Sequence, residues 1–372
     1  MNLLQRHLFW SVLSTCLAAV GLFMFVLILG NALKDLLGYL LAGQIGLGTF
    51  AKLLGLLVPY ACAYALPMGI LTGVLLVLGR MSAQHEITAM RAAGLSLTFV
   101  ARPILLLGLI GSAAALAVNF YYMPRSRTLY KQMVGQAVQQ NPLSFVVPKT
   151  FVREFNGVVL YVGEKDGPRL RDFWVWQIDK QDRVRVFARA DEGIFEYDQT
   201  TNTLVLTLRH VVVENRADQD PEDFTRAPTT STFDEFPVKL ELDALFGRQV
   251  PRTKLAWMTL DQLIAEWRRL AAPEQAMERL RVSITLHEKA SSGLAVLAFA
   301  LLAVPLGIKV SRKETSANLG VALGLVMVYY FASVTVSWLD QFPDLRPDWL
   351  MWAPTLGFFA LGAWLFSRVG RA

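Results

Sequence analysis

The chain has 372 residues, 54% hydrophobic and 18% charged, with a mean hydropathy of +0.39 and a formal net charge of +6. A soluble globular chain carries about a quarter charged residues, so this composition argues against an ordinary soluble domain. The basic excess gathers where apolar stretches end, which fits membrane-helix flanks rather than a nucleic-acid surface. Both cysteines, Cys16 and Cys62, fall inside apolar runs, which argues against a disulfide framework or a cysteine metal site.

Six stretches nearly free of charge run over roughly 8–33, 53–79, 103–124, 290–308, 315–339 and 349–367. Each is close to or above the ~20 apolar residues that carry a helix across a bilayer. The first exceeds the ~7–15 residues of a signal-peptide core and lacks a small-x-small cleavage site at its end. It reads as a retained helix, and its outer end is predicted at Lys34.

Between the second and third stretches lies Gly79-Arg80-Met81-Ser82-Ala83-Gln84-His85-Glu86-Ile87-Thr88-Ala89-Met90-Arg91-Ala92-Ala93-Gly94-Leu95. The pattern predicts a helix over about 82–94. Ser82 is its expected N-cap, Glu86 sits near the positive end of the dipole, and Gly94 is the expected C′ residue. Ala83, Ile87 and Met90 share one face. Glu86 and Arg91 are expected to make polar contacts with a partner, with Ile87 and Met90 as an apolar anchor. A solvated connecting loop is the alternative.

The third stretch is followed by a polar block with a normal density of charge. Val158 to Val162 end at the turn signal Asp166-Gly167. Phe173, Val175 and Gln177 alternate with Trp174, Trp176 and Ile178, and Val184, Val186 and Ala188 alternate with arginines. Leu204 to Leu208 and Val238 to Leu242 add two further strands. Short strands at such spacing read as an all-β sandwich or roll. A rigid domain with an ordinary core fits this pattern as well as a ligand groove does. Residues 217–232, rich in Asp, Pro and Thr, read as a long loop. Residues 259–271 read as an amphipathic helix, with Leu260, Leu263, Ile264 and Trp267 on one face. The expected division is residues 1–124 with three spans, 125–275 with the β domain and amphipathic helix, and 276–372 with three more spans.

Arg6, then Arg80, Arg91 and Arg102, then Lys309, Arg312 and Lys313, then Arg368 and Arg371 fall on one side of the six spans. The other short loops carry Lys34 and Lys52, and Arg346 among Asp340, Asp344 and Asp348. The richer side is cytoplasmic by the positive-inside rule. Both termini are then expected in the cytoplasm and the β block outside, which in a bacterium is the periplasm. Against that trend, Lys34, Arg125, Arg127, Lys131, Arg281 and Lys289 cluster at the outer boundary. They are candidates for holding phosphates of a lipid head group by charge-assisted bonds; snorkelling is the alternative for each one taken singly. Near them, His287 and Glu288 enter the fourth span, either facing a cavity or paired for insertion. Trp338, Trp349 and Trp352 read as interface anchors.

Three motifs together resemble one family: Leu66-Pro67-Met68-Gly69, Glu86 to Gly94, and Leu302-Ala303-Val304-Pro305-Leu306-Gly307. With the three-plus-three plan and its β insert, the chain resembles the LptF/LptG type of lipopolysaccharide-export ABC transporter permease over nearly its whole length. The coupling segment leans toward the LptF-like member. The resemblance implies a periplasmic β-jellyroll, a heterodimer with a second homologous permease, and a cytoplasmic ATPase dimer docked on the 82–94 segment. It also implies a bitopic periplasmic bridge protein of LptC type beside the first helix, and lipopolysaccharide as substrate.

No G-x-x-x-x-G-K-[ST] loop occurs, so the chain carries no Walker A cradle. No cofactor is expected on this chain; ATP and Mg belong to the partner ATPase subunits. An intramembrane hydrolase is disfavoured: His85-Glu86 lacks the second His of a zinc motif, and no G-x-S-x-G elbow occurs. A secondary transporter would need paired ionisable groups near mid-span, and these spans are nearly free of charge. A non-transporting membrane scaffold for envelope assembly fits the same docking elements and stays open at this point.

Overall fold

The computed structural model describes residues 2–30, 34–41, 43, 45–140, 148–149, 151–152, 158–166, 169–179, 183–198, 203–216, 229–241, 255–272, 275–309 and 315–371. They form two compact units. One comprises Met1–Lys34, Lys52–Tyr130 and Thr253–Ala372; the other comprises Asp35–Ala51 and Lys131–Arg252.

The helices in chain order are α1 (Leu3–Ile28), α2 (Lys34–Leu41), α3 (Leu47–Ala83), α4 (Glu86–Ala92), α5 (Leu97–Ala117) and α6 (Met123–Gln140). After the strands come α7 (Leu260–Arg269), α8 (Ala276–Lys309), α9 (Thr315–Ser337), α10 (Pro347–Leu350) and α11 (Ala353–Arg371). Six segments of the described residues are long and apolar enough to cross a membrane. At 37 residues, α3 is about 55 Å long at 1.5 Å per residue. That exceeds the ~30 Å of a hydrocarbon core, so the helices outrun the apolar stretches that announce them. The third is the extreme case. A π-helical turn, Val118–Tyr122, joins α5 to α6 and carries the helix through Arg125 and Arg127. Lys34 corrects an expectation: the first helix ends at Ile28 with a π turn over Leu29–Gly30, and Lys34 opens α2 instead of closing α1.

In the helical unit α8 lies innermost. Phe299, Ala300, Leu302, Ala303 and Val304 are fully buried against Leu71, Leu75, Leu78 and Ile104. Two glycines four residues apart on α3 seat α1. A Cβ at Gly69 would fall 2.7 Å from the Val20 nitrogen, and one at Gly73 2.6 Å from the Cys16 Cα. Small residues at this spacing let membrane helices approach to backbone contact.

α7 begins with Thr259, whose hydroxyl accepts from the Gln262 N–H while the Gln262 side chain returns a bond to the Thr259 N–H, a reciprocal cap. Of its apolar stripe Leu263 is buried, packing together with Leu270 against Phe120 and Val282, whereas Leu260 and Ile264 are half-buried and Trp267 is exposed. This packing places residues 253–275, expected within the insert, in the helical unit.

Among the described residues six strands follow α6: β1 (Phe151–Val152), β2 (Val158–Asp166), β3 (Arg169–Ile178), β4 (Val184–Asp198), β5 (Thr203–Asn215) and β6 (Thr229–Glu241). They pair antiparallel in sequence order as one sheet. The chain is thus a membrane-type helical protein with an inserted β domain. The jellyroll expectation meets a simple meander order among the described residues. The expected loop at 217–232 is shorter at its end, because β6 starts at Thr229; residues 217–228 lie outside the described residues.

Alternation sorts the sheet's two faces. Leu160, Val162, Phe173 and Ala190 are buried on one. Tyr161, Trp174, Trp176 and Phe187 meet on the other, with ring centroids 5.5–6.0 Å apart. The ladder skips one row across the described strands, at Gly163, Asp172, Asp191, His210 and Asp234. Asp172 and His210 have positive φ there, at 53° and 51°. The crease shifts the alternation by one, so Leu170 and Phe173, three apart, are both buried, as are Leu208 and Val211. A strict two-residue period would have put each pair on opposite faces.

Candidate functional site

The segment joining α3 to α5 is built by its ends. Ser82 belongs to the last turn of α3, and its hydroxyl donates to the Ile308 carbonyl at 2.9 Å. That bond satisfies a carbonyl at the C-terminal end of α8, where no intrahelical partner exists. Ser82 is therefore not the N-cap of the following helix, which corrects the expectation. The cap is His85, in the left-handed region at φ 58°, where the chain reverses. α4 is shorter than expected, seven residues. Its C-terminal end agrees with the sequence. Gly94 has φ +82°, its N–H donates to the Arg91 carbonyl at 2.9 Å, and the Leu95 N–H donates to the Met90 carbonyl at 3.0 Å. This is the Schellman pairing, which favours glycine.

The faces of α4 also differ from expectation. Ile87 is 4% exposed and lies in the core of the helical unit, with Met90 packed against it. These two side chains key α4 into its own bundle and are not offered outward, because a seven-residue helix without a buried face would not hold to the bundle. Glu86, Thr88, Ala89, Arg91 and Ala92 form the exposed face. Small side chains flanked by one acid and one base allow close approach by a partner.

The basic residues separate into different environments. Arg127 Cζ lies 4.0 Å from the Tyr60 ring centroid, bridging α6 and α3. Its Nε is buried with no hydrogen-bond partner among the described residues. Tyr60 contacts Tyr64 one turn on at 5.4 Å, and Tyr64 contacts Tyr330 of α9 at 5.9 Å. A guanidinium stacked on one ring with an N–H unspent is suited to an oxyanion. Arg125 is exposed and lies 5.1 Å from the Tyr121 ring. Arg281 is exposed near the start of α8. Lys131 falls in the sheet-bearing unit, and the Lys34 side chain lies outside the described residues.

Lys289 requires a correction. It is 7% exposed, and its Nζ donates to the Met258 carbonyl at 2.8 Å. It pins the segment before α7 to α8 and does not face a lipid. Lys289→Met is expected to destabilise the purified chain by about 1 kcal/mol, since the half-buried Met258 carbonyl would lose its donor. An unchanged unfolding temperature would show that the ammonium has no structural share.

His287 is engaged too: its Nδ1 accepts from Trp352 Nε1 at 3.0 Å, tying α8 to the start of α11. Of the three tryptophans expected as anchors, Trp338 and Trp349 are 72% and 64% exposed, whereas Trp352 is half-buried and spends its indole N–H on His287. Sequence reasoning missed two groupings. One is the Tyr60–Tyr64–Tyr330 ladder, whose only signal was two tyrosines four apart on a helix. The other is a buried polar node of Ser291, Thr355 and Tyr329, with Ser291 Oγ 2.8 Å from Thr355 Oγ1. Its members lie in three helices, and no local pattern joins them.

The family described as lipopolysaccharide export system permease LptF/LptG matches residues 6–368. The chain is similar to the lipopolysaccharide export system permease protein LptF of Escherichia coli K12, 24% identical over 360 residues, covering 96% of this chain and 92% of that protein. The LptF protein of Shigella flexneri is similar to the same extent, 24% identical over 96% of this chain and 92% of its own length.

Proposed function

The chain belongs to the lipopolysaccharide export system permease LptF/LptG family, and from that membership we propose that it is the LptF-type permease subunit of an ABC transporter. Its substrate is lipopolysaccharide, extracted from the outer leaflet of the bacterial inner membrane and passed toward a periplasmic bridge. It works as a heterodimer with a second homologous permease above an ATPase dimer that holds ATP and Mg. A bitopic protein of LptC type takes the lipid onward. Both termini are cytoplasmic and the sheet is periplasmic in this reading, which the bias of Lys and Arg toward one side of the spans supports.

The observation that carries this reading is the setting of α4. A partner pressing on Glu86, Ala89 and Arg91 presses on a helix whose other side, Ile87 and Met90, is keyed into the bundle core. The Ser82–Ile308 bond links the same corner to the end of α8. Displacement at α4 is thereby passed to α3 and α8 with little slack, which is what a subunit without its own Walker A loop needs in order to use ATP.

The test is purification of the tagged chain in mild detergent from its native membrane, followed by ATPase assays with and without lipopolysaccharide. Co-purified ATPase and second permease, with hydrolysis stimulated by lipopolysaccharide, support the reading. Recovery without an ATPase, under conditions that preserve other ABC complexes, moves the assignment to a scaffold. Within the working complex, Arg127→Gln is expected to raise the half-stimulating lipopolysaccharide concentration roughly tenfold, the loss of one charge-assisted phosphate contact. An unchanged value removes Arg127 from the head-group site.

A further inference from the structure

α9 is attached to its bundle in an unusual way. Between Gly320 and Ser337 its buried side chains are Ala322, Val326 and Tyr329, while Leu323, Met327, Val328, Phe331 and Val334 are exposed. Among the described residues its side-chain hydrogen bonds to other helices concentrate at one level, on two adjacent tyrosines. Tyr329 is wedged between Phe299 at 5.1 Å and Phe358 at 5.7 Å. Its hydroxyl lies 3.2 Å from Thr355 Oγ1, which meets Ser291 Oγ at 2.8 Å, and Ser291 donates to the Met351 carbonyl at 2.8 Å. Tyr330 turns about 100° around the helix and donates to the Tyr64 carbonyl of α3 at 3.4 Å.

The two ties differ in strength. The Tyr329 node is buried and has several partners, so breaking it would strand polar groups. The Tyr330 bond is single, long and exposed. Its acceptor sits inside α3, where the Tyr64 carbonyl is already the i→i−4 partner of the Met68 N–H; Pro67 withholds its N–H from the Ala63 carbonyl instead, so the tyrosine hydroxyl is a second and weaker claimant on the Tyr64 oxygen.

We infer that α9 is a rocker pinned at Tyr329, and that the Tyr330–Tyr64 bond is its releasable latch. Release lets α9 tilt about Tyr329, opening its seam with α3 on the Trp338 side and closing it on the other, and the latch shares Tyr64 with the Arg127–Tyr60–Tyr64 stack. The place of this motion in a transport cycle rests on the permease reading; the motion itself does not.

Tyr330→Phe removes only the latch hydroxyl. The test is distance measurement between spin labels in the full complex, in lipid nanodiscs, on a Cys16→Ala, Cys62→Ala background. One pair is Val58→Cys with Val334→Cys, on the Trp338 side of the latch. The other is Ala83→Cys with Leu323→Cys, on the far side. Val334 and Leu323 lie five and six residues from the pivot at Tyr329, about 8 and 9 Å along the helix, so a tilt of about 20° moves each label by roughly 3 Å.

Tyr330→Phe is expected to lengthen the first distance and shorten the second, and a non-hydrolysable ATP analogue to do the same in the parent complex. No change in either pair, or lengthening of both together, overturns the rocker. If lipopolysaccharide fails to stimulate the parent ATPase while Tyr330→Phe still moves the pairs oppositely, the permease reading falls and the rocker stands.

Discussion

Arg91→Glu is expected to weaken the hold of the ATPase dimer on this chain about 30-fold, the loss of roughly 2 kcal/mol that defines an interface hot spot. Arg91 lies in the last turn of α4, exposed, where a cation also complements the negative end of the helix dipole. Reversal removes its contact and sets a carboxylate against that dipole. The helix itself should survive, because its two anchors are elsewhere: Ile87 in the core and the Gly94 turn. The measurement is retention of ATPase on immobilised permease as detergent-solubilised complex is diluted, with the unfolding temperature as control. Parent-like retention would show that the charged face of α4 is not where the ATPase grips. Ile87→Ala serves as the contrast, since it should lower the unfolding temperature through lost packing before it touches affinity.

Gly73→Leu should have the largest effect on the fold. A Cβ at Gly73 would lie 2.6 Å from the Cys16 Cα and 2.8 Å from its nitrogen. These are main-chain atoms and cannot swing aside. α1 rests on the bundle along Leu8, Val12, Cys16, Ala19 and Val20, one stripe at helical spacing. Prising it off at Cys16 therefore loses the stripe. A cost of about 3 kcal/mol or more is expected, the upper range for overpacking, read as a lower unfolding temperature and early aggregation in detergent. Gly21→Leu is the control, because nothing lies within 4 Å of a Cβ there. Equal behaviour of the two variants would mean that α1 does not depend on this contact.

The spans were legible because a run of about twenty apolar residues has few other uses. Their ends were not, because charge stops the apolar signal without stopping the helix, and so Arg125 and Arg127 sit in continuous helix beyond the third stretch. Gly94 was legible because its positive φ is a local demand that glycine meets. Ser82 was misplaced because cap preference is local, whereas its hydroxyl is claimed by Ile308, 226 residues away. Ile87 could be assigned to a face of α4 but not to a partner: an apolar stripe is the same in sequence whether it meets its own bundle or another protein. Lys289 read as a boundary cation because its acceptor, the Met258 carbonyl, is a main-chain atom that no residue type announces.

The creased row across the sheet has a mechanical meaning. A regular ladder resists bending because each strand is tied to the next at every rung. Here the same rung is missing in neighbouring strands at Gly163, Asp172, Asp191, His210 and Asp234. The missing rungs align into a line instead of scattering as separate defects. The sheet is then creased along one line rather than at scattered points, so every strand it crosses turns its alternation at the same level and the buried residues on either side stay in register.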